Sequence, residues 1–482
     1  MDVLAVASEM YPLVKTGGLA DVVGALPAAL AEHGVHVTTL LPGYPAVMRA
    51  VERPRALARY PDLFGGPARV VRAMIDGQRL LVLDAPHHFA RDGGAYADAG
   101  GRDWQDNWRR FAALSAVAAD LAGGAIKGFA PALVHAHDWQ AAMTLAYMRH
   151  GAAHAVPAVL TIHNLAFQGR FDSGIFPALG LPASAFAVDG VEYYGGVGYL
   201  KAGLQYADAI TTVSPAYAEE ILTPAQGMGL DGLLSARRAR LHGILNGIDM
   251  REWDPSGDAL IPARYGMRSL AARKRNRRAV EKRFALASDE SPIFCVVSRL
   301  TWQKGMDILA DVVDDLVAMG GRLALIGTGD QGIEGTLLAA AARHQGRVGV
   351  MIGYDESVSH LLQAGADAIV IPSRFEPCGL TQLYGLRYGC VPVVARTGGL
   401  GDTVIDANEA ALSAEVATGL VFEAGRGDSL RAALRRAVTL HREPGRWAAI
   451  QRAGMKADFS WGRSAERYAA LYRSLTEGPA PE

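Results

Sequence analysis

The sequence predicts an α/β protein built on two parallel sheets, and three observations carry that expectation. The chain is long, short β-branched runs alternate with longer helical patterns, and Gly- or Asp-bearing turns follow the runs. At 482 residues, half of them apolar and a fifth charged, the chain exceeds what one hydrophobic core organises. Two domains of roughly 200 to 250 residues each are therefore expected.

In the first half the runs that read as strands are 3–7, 35–41, 133–137, 158–163, 209–213 and 241–245. In the second half they are 293–298, 323–326, 348–352, 368–372 and 391–395. Between the two sets lies Asn246-Gly247-Ile248-Asp249, followed by a polar, Pro-containing stretch to Pro262. Turn chemistry of that kind suits an interdomain connection. The expected organisation is thus a domain over 1–245, a linker and hinge over 246–262, and a second domain over 263–460. The basic run Arg273-Lys274-Arg275-Asn276-Arg277-Arg278 is flanked by Leu270, Val280 and Phe284, which reads as an amphipathic helix with a solvated basic face.

Composition removes several classes of function. A formal net charge of -1 gives no reason to expect a nucleic-acid partner. Three cysteines, Cys295, Cys378 and Cys390, are too few for a disulfide framework and show no zinc-ligand spacing, so a reducing compartment, the cytoplasm, is expected. The N-terminal apolar run lacks a basic leader and soon meets Glu9, so it reads as a first strand rather than a signal peptide. No apolar stretch reaches the ~18 to 20 residues of a spanning helix, and no membrane association is expected.

The chemistry-bearing segments sit where strands give way to helices. Lys15-Thr16-Gly17-Gly18-Leu19-Ala20-Asp21 follows the first strand, and Arg396-Thr397-Gly398-Gly399-Leu400-Gly401-Asp402 repeats its pattern of basic, Thr, Gly, Gly, Leu, small, Asp late in the second half. Glycines at such turns allow close backbone approach, and the first amides of the next helix offer donors to an anion, so both copies read as anion-facing turns. Ser298-Arg299-Leu300-Thr301-Trp302-Gln303-Lys304-Gly305 brings a guanidinium and an ammonium to a strand end, where open α/β sheets bind ligands. That pair suits a departing diphosphate. Glu376-Pro377-Cys378-Gly379-Leu380-Thr381 places a carboxylate beside the open amides of a helix start, a combination suited to sugar hydroxyls and phosphate.

Other patterns carry less. His135 and His137, two apart on a strand, point to one side in the manner of a metal pair, but no third ligand has suitable spacing, so no metal is expected. His163 closes another strand beside these motifs. Gly327-Thr328-Gly329-Asp330-Gln331-Gly332 matches G-x-G-x-x-G yet follows the second strand of its domain, not the first, so it reads as a close-approach loop rather than a dinucleotide site. The sequence holds no phosphate-loop, H-E-x-x-H or G-x-S-x-G pattern, and no Asp-x-Asp.

Taken together, Lys15 to Val22, His135 to Gln140, Thr161 to Gly169, Leu245 to Asp249, Ser298 to Gly305, Glu376 to Tyr384 and Arg396 to Asp402 resemble the bacterial glycogen synthases and plant starch synthases, nearly end to end. The resemblance implies a GT-B fold, two Rossmann-like doubly wound domains facing across a cleft. The first would take the acceptor and the second the nucleotide sugar, with the C-terminal segment 461–482 packing back onto the first. It implies transfer of glucose from ADP-glucose to the non-reducing end of an α-1,4-glucan such as glycogen, with retention and without metal or other cofactor.

By the same resemblance, Lys15 and Gly18 approach the diphosphate and Asp21 belongs to the donor site. Arg299 and Lys304 neutralise the departing phosphate, while Glu376 with Cys378, Gly379, Leu380 and Thr381 holds glucose and phosphate. His163, Asp138 and Asn246 line the donor sugar, and Tyr354 stacks on adenine. Tyr96 falls near the acceptor, although Ala95 stands where the family has proline. The alternatives are another retaining GT-B transferase using UDP-glucose or a different acceptor, a catalytically idle glucan-binding protein, and a nicotinamide-dependent oxidoreductase carried by the Gly327 loop alone.

Overall fold

The computed structural model describes residues 1–477. The chain divides into two compact units, one of Met1–Gly247 together with the C-terminal helix Trp461–Thr476, the other of Ile248–Ser460.

The first unit is built on a nine-stranded sheet. Its seven parallel strands lie side by side as Leu241–Gly243, Ala209–Thr212, Ala158–Ile162, Leu133–His137, Asp2–Val6, His36–Pro42 and Gln78–Asp84. Two antiparallel strands, Ala68–Ile75 and Arg55–Tyr60, extend one edge. That extension was not expected, although Asp76-Gly77, both at positive φ, is the two-residue turn such a hairpin demands. The central strands are buried on both faces, which is why they read as short apolar runs without alternation. Strand Asp2–Val6 lies between His36–Pro42 and Leu133–His137, so the sheet order reverses direction there.

The C-terminal helix Trp461–Thr476 buries Trp461, Ala465, Tyr468, Ala469 and Tyr472 at helical spacing against Val22, Leu26 and Leu30 of helix Gly18–Ala31 and against Val3 and Val35. The last residues of the segment expected to pack back, 478–482, lie outside the described residues.

The second unit carries six parallel strands. Numbered within the unit as Ile293–Val297, Arg322–Gly327, Val348–Ile352, Ala368–Ile371, Val391–Ala395 and Leu420–Phe422, they stand in the order 3-2-1-4-5-6 of a doubly wound nucleotide-binding sheet. Helix Met306–Ala318 shows how the layers close, with Ile308, Leu309, Val312, Val313 and Leu316 forming a stripe buried on the sheet.

Two sequence expectations change here. From Ile248 onward, the stretch expected as a linker over 246–262 packs into the second unit. Ile248, Trp253 and Ile261 are buried with Leu383 and Leu386, and the Trp253 ring stacks on Tyr384 at 3.6 Å and on His360 at 4.0 Å. The basic run is only half solvated. Arg273 and Arg277 are buried, the first donating to the carbonyls of Gln363, Ala364, Ala366 and Gly389, the second paired with Asp367 at 2.5 Å. Guanidinium donors there satisfy carbonyls that helix ends and turns leave open.

Candidate active site

In the second unit the first and fourth strands are neighbours, and the connections leaving their carboxyl ends run in opposite senses. This is the switch point at which doubly wound sheets open a ligand crevice. Loop 298–305 leaves the first strand and loop 372–380 leaves the fourth, so Arg299, Lys304 and Glu376 arise at one place because the strand order puts them there. Lys304 Nζ lies 2.5 Å from Glu376 Oε2, and the Ser373 hydroxyl donates to that same oxygen at 2.9 Å. Arg299 is exposed. Tyr354 follows the third strand and is 69% exposed, leaving its ring available for stacking.

The backbone of the Glu376 loop is held from two sides. Gly379 sits at φ +71, and the Gln382 amide donates to the carbonyls of Cys378 and Gly379 at 3.0 and 2.9 Å. From the other side comes the second Thr-Gly-Gly copy. The Gly399 amide donates to the carbonyls of Glu376 and Pro377 at 3.2 and 3.1 Å. The amides of Leu400 and Gly401 fold back on Thr397. These donors are spent within the protein, so the anion-facing reading of Arg396 to Asp402 gives way to a supporting one.

The loop 327–332 is likewise closed on itself. Glu334 accepts from the Gly329 amide at 2.8 Å and from the Thr328 hydroxyl at 3.0 Å, while Asp330 accepts from the Gly332 and Ile333 amides. The Gly329, Asp330 and Gly332 amides are thus spent within the protein, which takes those donors away from the oxidoreductase alternative.

In the first unit the strand order reverses between Asp2–Val6 and Leu133–His137, and residues 7–17 and Asp138 follow the ends of those strands. Lys15 pairs with Asp21 at 2.9 Å, and its ammonium stands 5.2 Å from the Tyr11 ring centre. Helix Gly18–Ala31 begins at Gly18. The loop before it is folded around Glu9, a residue the sequence reading passed over. The Glu9 carboxylate accepts from the Thr16 amide at 2.5 Å, the Gly17 amide at 3.3 Å, the Thr16 hydroxyl and the Tyr96 hydroxyl. Tyr96 also shares a 2.7 Å bond with Ser8. The structure therefore gathers Thr16, Gly17 and Tyr96 about one acid, with the Lys15–Asp21 pair on the same loop and the helix that follows it.

Asp138, at φ +55 and buried, takes the His163 amide on Oδ1 at 2.7 Å. Burial pushes its carboxyl up to about 7, with the charge of Glu9 adding to the rise and the His163 and Asn164 amides opposing it. His163 shares a 3.0 Å bond between its Nε2 and His137 Nδ1. Burial holds both rings below the ordinary histidine range, His137 at about 3, so both are neutral. His135 uses one ring nitrogen on Thr161 at 2.5 Å and the other on Tyr472 at 2.7 Å. It is a structural residue. Asn246 is buried, and its side-chain oxygen has no hydrogen-bond partner among the described residues.

The chain resembles known proteins along nearly its whole length. Residues 2–236 match the starch synthase catalytic domain and residues 278–453 match glycosyl transferases group 1. A glycogen synthase of Mesorhizobium japonicum is 63% identical over 475 residues, covering 98% of this chain and 99% of that one. The chain belongs to the glycogen synthase family. A second member, from Novosphingobium aromaticivorans, is 63% identical over 476 residues with 98% of both chains covered. Among solved structures, the catalytic domain of starch synthase IV from Arabidopsis thaliana, bound to ADP and acarbose, matches with a TM-score of 0.89 at 29% identity, covering 98% of this chain and 99% of that one. The chain is thus a glycosyltransferase with the two Rossmann-like sheets of the GT-B fold.

Proposed function

We propose that the chain transfers glucose from ADP-glucose to the non-reducing 4-hydroxyl of an α-1,4-glucan, elongating glycogen with retention at the anomeric carbon. The single observation that carries the reading is the set of Arg299, Lys304 and Glu376 at the switch point of the second sheet, two cations and one carboxylate on immobilised loops. Likeness to proteins named glycogen synthase, and to a starch synthase solved with ADP, supports the choice of donor and acceptor.

In this reading Arg299 and Lys304 take the charge that builds on the diphosphate as its bond to the anomeric carbon breaks. The acceptor 4-hydroxyl forms the new bond from the same face and gives its proton to the departing phosphate oxygen. The oxocarbenium-like charge is eased by the backbone near His163. Glu376 and the Cys378, Gly379, Leu380 and Thr381 segment hold glucose and phosphate, and Tyr354 stacks on adenine. Lys15, with Asp21 fixing its ammonium, and Gly18 serve the diphosphate. Asp138, His163 and Asn246 serve the donor sugar, and Tyr96 belongs with the acceptor. No metal or cofactor enters these steps. The three cysteines, all buried, and the absence among the described residues of a helix able to cross a membrane support work in the cytoplasm.

The test measures release of ADP and of UDP from the two glucose donors, with and without glycogen. ADP release that depends on glycogen is the expected result. Release of UDP in preference to ADP would transfer the reading to a UDP-glucose enzyme, and absence of any glucan-dependent release would mark an idle glucan-binding protein.

A further inference from the structure

On the loop that carries Glu376, Arg374 reaches across to the loop that carries Lys304. The Arg374 backbone amide donates to the Gln303 carbonyl at 2.9 Å, and its Nη1 donates to the Trp302 carbonyl at 2.7 Å. The guanidinium forms a two-pronged pair with Asp307, both bonds 2.7 Å, and its carbon lies 4.5 Å from the Trp302 ring centre. Asp307 stands in the first turn of helix Met306–Ala318, and its carboxyl is held below the usual range, first by this pairing. Gly305 seals the same junction. It sits at φ +65, and a Cβ there would come within 1.9 Å of the Pro372 carbonyl oxygen.

We infer that Arg374 is a positioning residue for the transfer, a clamp that holds loop 298–305 against loop 372–380 so that Lys304 and Glu376 meet the donor in register. The inference rests on the reading of Lys304 and Glu376 given above. A planar fork suits the task because it fixes direction as well as distance, which an ammonium in its place does not. Arg374 sits two residues from Glu376, and the carbonyl and ring it engages belong to a residue two before Lys304, so a loosened clamp displaces both groups together. Trp302, 61% exposed, covers the guanidinium with its ring. Groups that act on charge developing at the leaving diphosphate matter more as the bond breaks than in the resting complex, so their misplacement lowers kcat more than it raises KM.

The full chain carrying Arg374→Lys, Asp307→Asn or Arg374→Ala is assayed for ADP release at varied ADP-glucose and saturating glycogen, with Lys304→Ala in parallel and the thermal midpoint of each variant recorded. Arg374→Lys and Asp307→Asn are expected to lower kcat about 10-fold or more with KM changed less than about threefold, in line with misplacement of reacting groups. Guanidinium ion at low millimolar concentration, but not methylammonium, is expected to restore part of the loss in Arg374→Ala. If that variant does not fold, the other two carry the test. Wild-type kcat in both Arg374→Lys and Asp307→Asn, while Lys304→Ala is inactive, overturns the clamp alone. A fully active Lys304→Ala overturns the underlying reading instead.

Discussion

His163 Nε2 and His137 Nδ1 stand 3.0 Å apart in the first unit, each ring buried and each below the ordinary histidine range. Two neutral imidazoles share one proton in that bond, so one ring fixes the tautomer and the plane of the other. His137→Ala is therefore expected to leave His163 free to turn and one buried nitrogen without a partner. An unsatisfied buried group costs about 1–3 kcal/mol. The expected outcome is a fall in kcat of roughly 10-fold, partly rescued in His137→Asn, whose amide can still donate. Initial rates at saturating donor check it, and unchanged rates in His137→Ala would remove His137 from the machinery.

The same pair sets a pH dependence of stability. The folded value of His137, about 3, lies below that of an unfolded histidine. Stability from this pair is present above pH ~6.5 and is lost as pH falls from there toward the folded value. A thermal midpoint that declines below pH ~6.5, with a shallower decline in His137→Asn, is the expected observation.

Asp138 runs the other way. Its folded value is raised to about 7 by burial, so the folded state binds a proton more tightly than the unfolded chain. That contribution is present below the unfolded pKa of ~3.9 and is lost as pH rises through the folded value. Asp138→Asn has no charge to bury, so its thermal midpoint is expected to gain on the wild type as pH rises from 5 to 8 and to gain no more beyond it. The ceiling is about 1.4 kcal/mol per pH unit separating the two values. A constant difference between the two proteins across that range would contradict the assignment.

These residues mark what the sequence made legible. Arg299, Lys304 and Glu376 could be read because motif letters follow strands, and strands are set by short apolar runs that need no partner to be recognised. The hairpin Ala68–Ile75 and Gln78–Asp84 is hidden in the sequence because Arg69 and Arg72 interrupt the apolar run of its first strand, although Asp76-Gly77 marks its turn. Glu9, Arg374 and Gln382 were not legible for a different reason. Each acts by hydrogen bonds to a loop whose path exists only after folding, and nothing in composition or period distinguishes such a residue from a solvated one. The two Thr-Gly-Gly copies make the point from the other side. Identical letters serve one loop folded around Glu9 and another that props the Glu376 backbone.

Lys304 and Glu376 form an ion pair at 2.5 Å with side chains 18% and 10% exposed. Removing one partner leaves the other charge largely buried and alone. Lys304→Ala is expected to lower stability by about 3 kcal/mol, the low end for buried pairs because some water reaches this one. Lys304→Ala with Glu376→Gln is expected to recover part of that loss, since the stranded carboxylate is gone. Turnover separates from stability here. Both single variants and the double are expected to lose about 10²- to 10³-fold in kcat, the range for removal of one transition-state donor. Denaturant midpoints and kcat measured on the same four proteins test both statements, and additive stability changes would show the pair to be uncoupled.

Gly399 offers the sharpest test of how the second Thr-Gly-Gly copy works. A Cβ at this position would lie 2.2 Å from the Cys378 carbonyl oxygen and 2.5 Å from its Cα, so the Glu376 to Thr381 backbone must shift to admit it. At Gly401, two residues on, the nearest atom to an added Cβ is the Arg396 Cγ at 3.9 Å, an ordinary contact. Gly399→Ala is expected to lower kcat/KM about 10- to 100-fold by moving groups that hold the donor, while Gly401→Ala stays within a few-fold of wild type. If the second copy instead bound an anion through its own amides, the two substitutions would differ little in their effect on kcat/KM, because neither removes a backbone donor. A steep contrast between neighbours two residues apart is the signature of a shelf that carries the Glu376 loop.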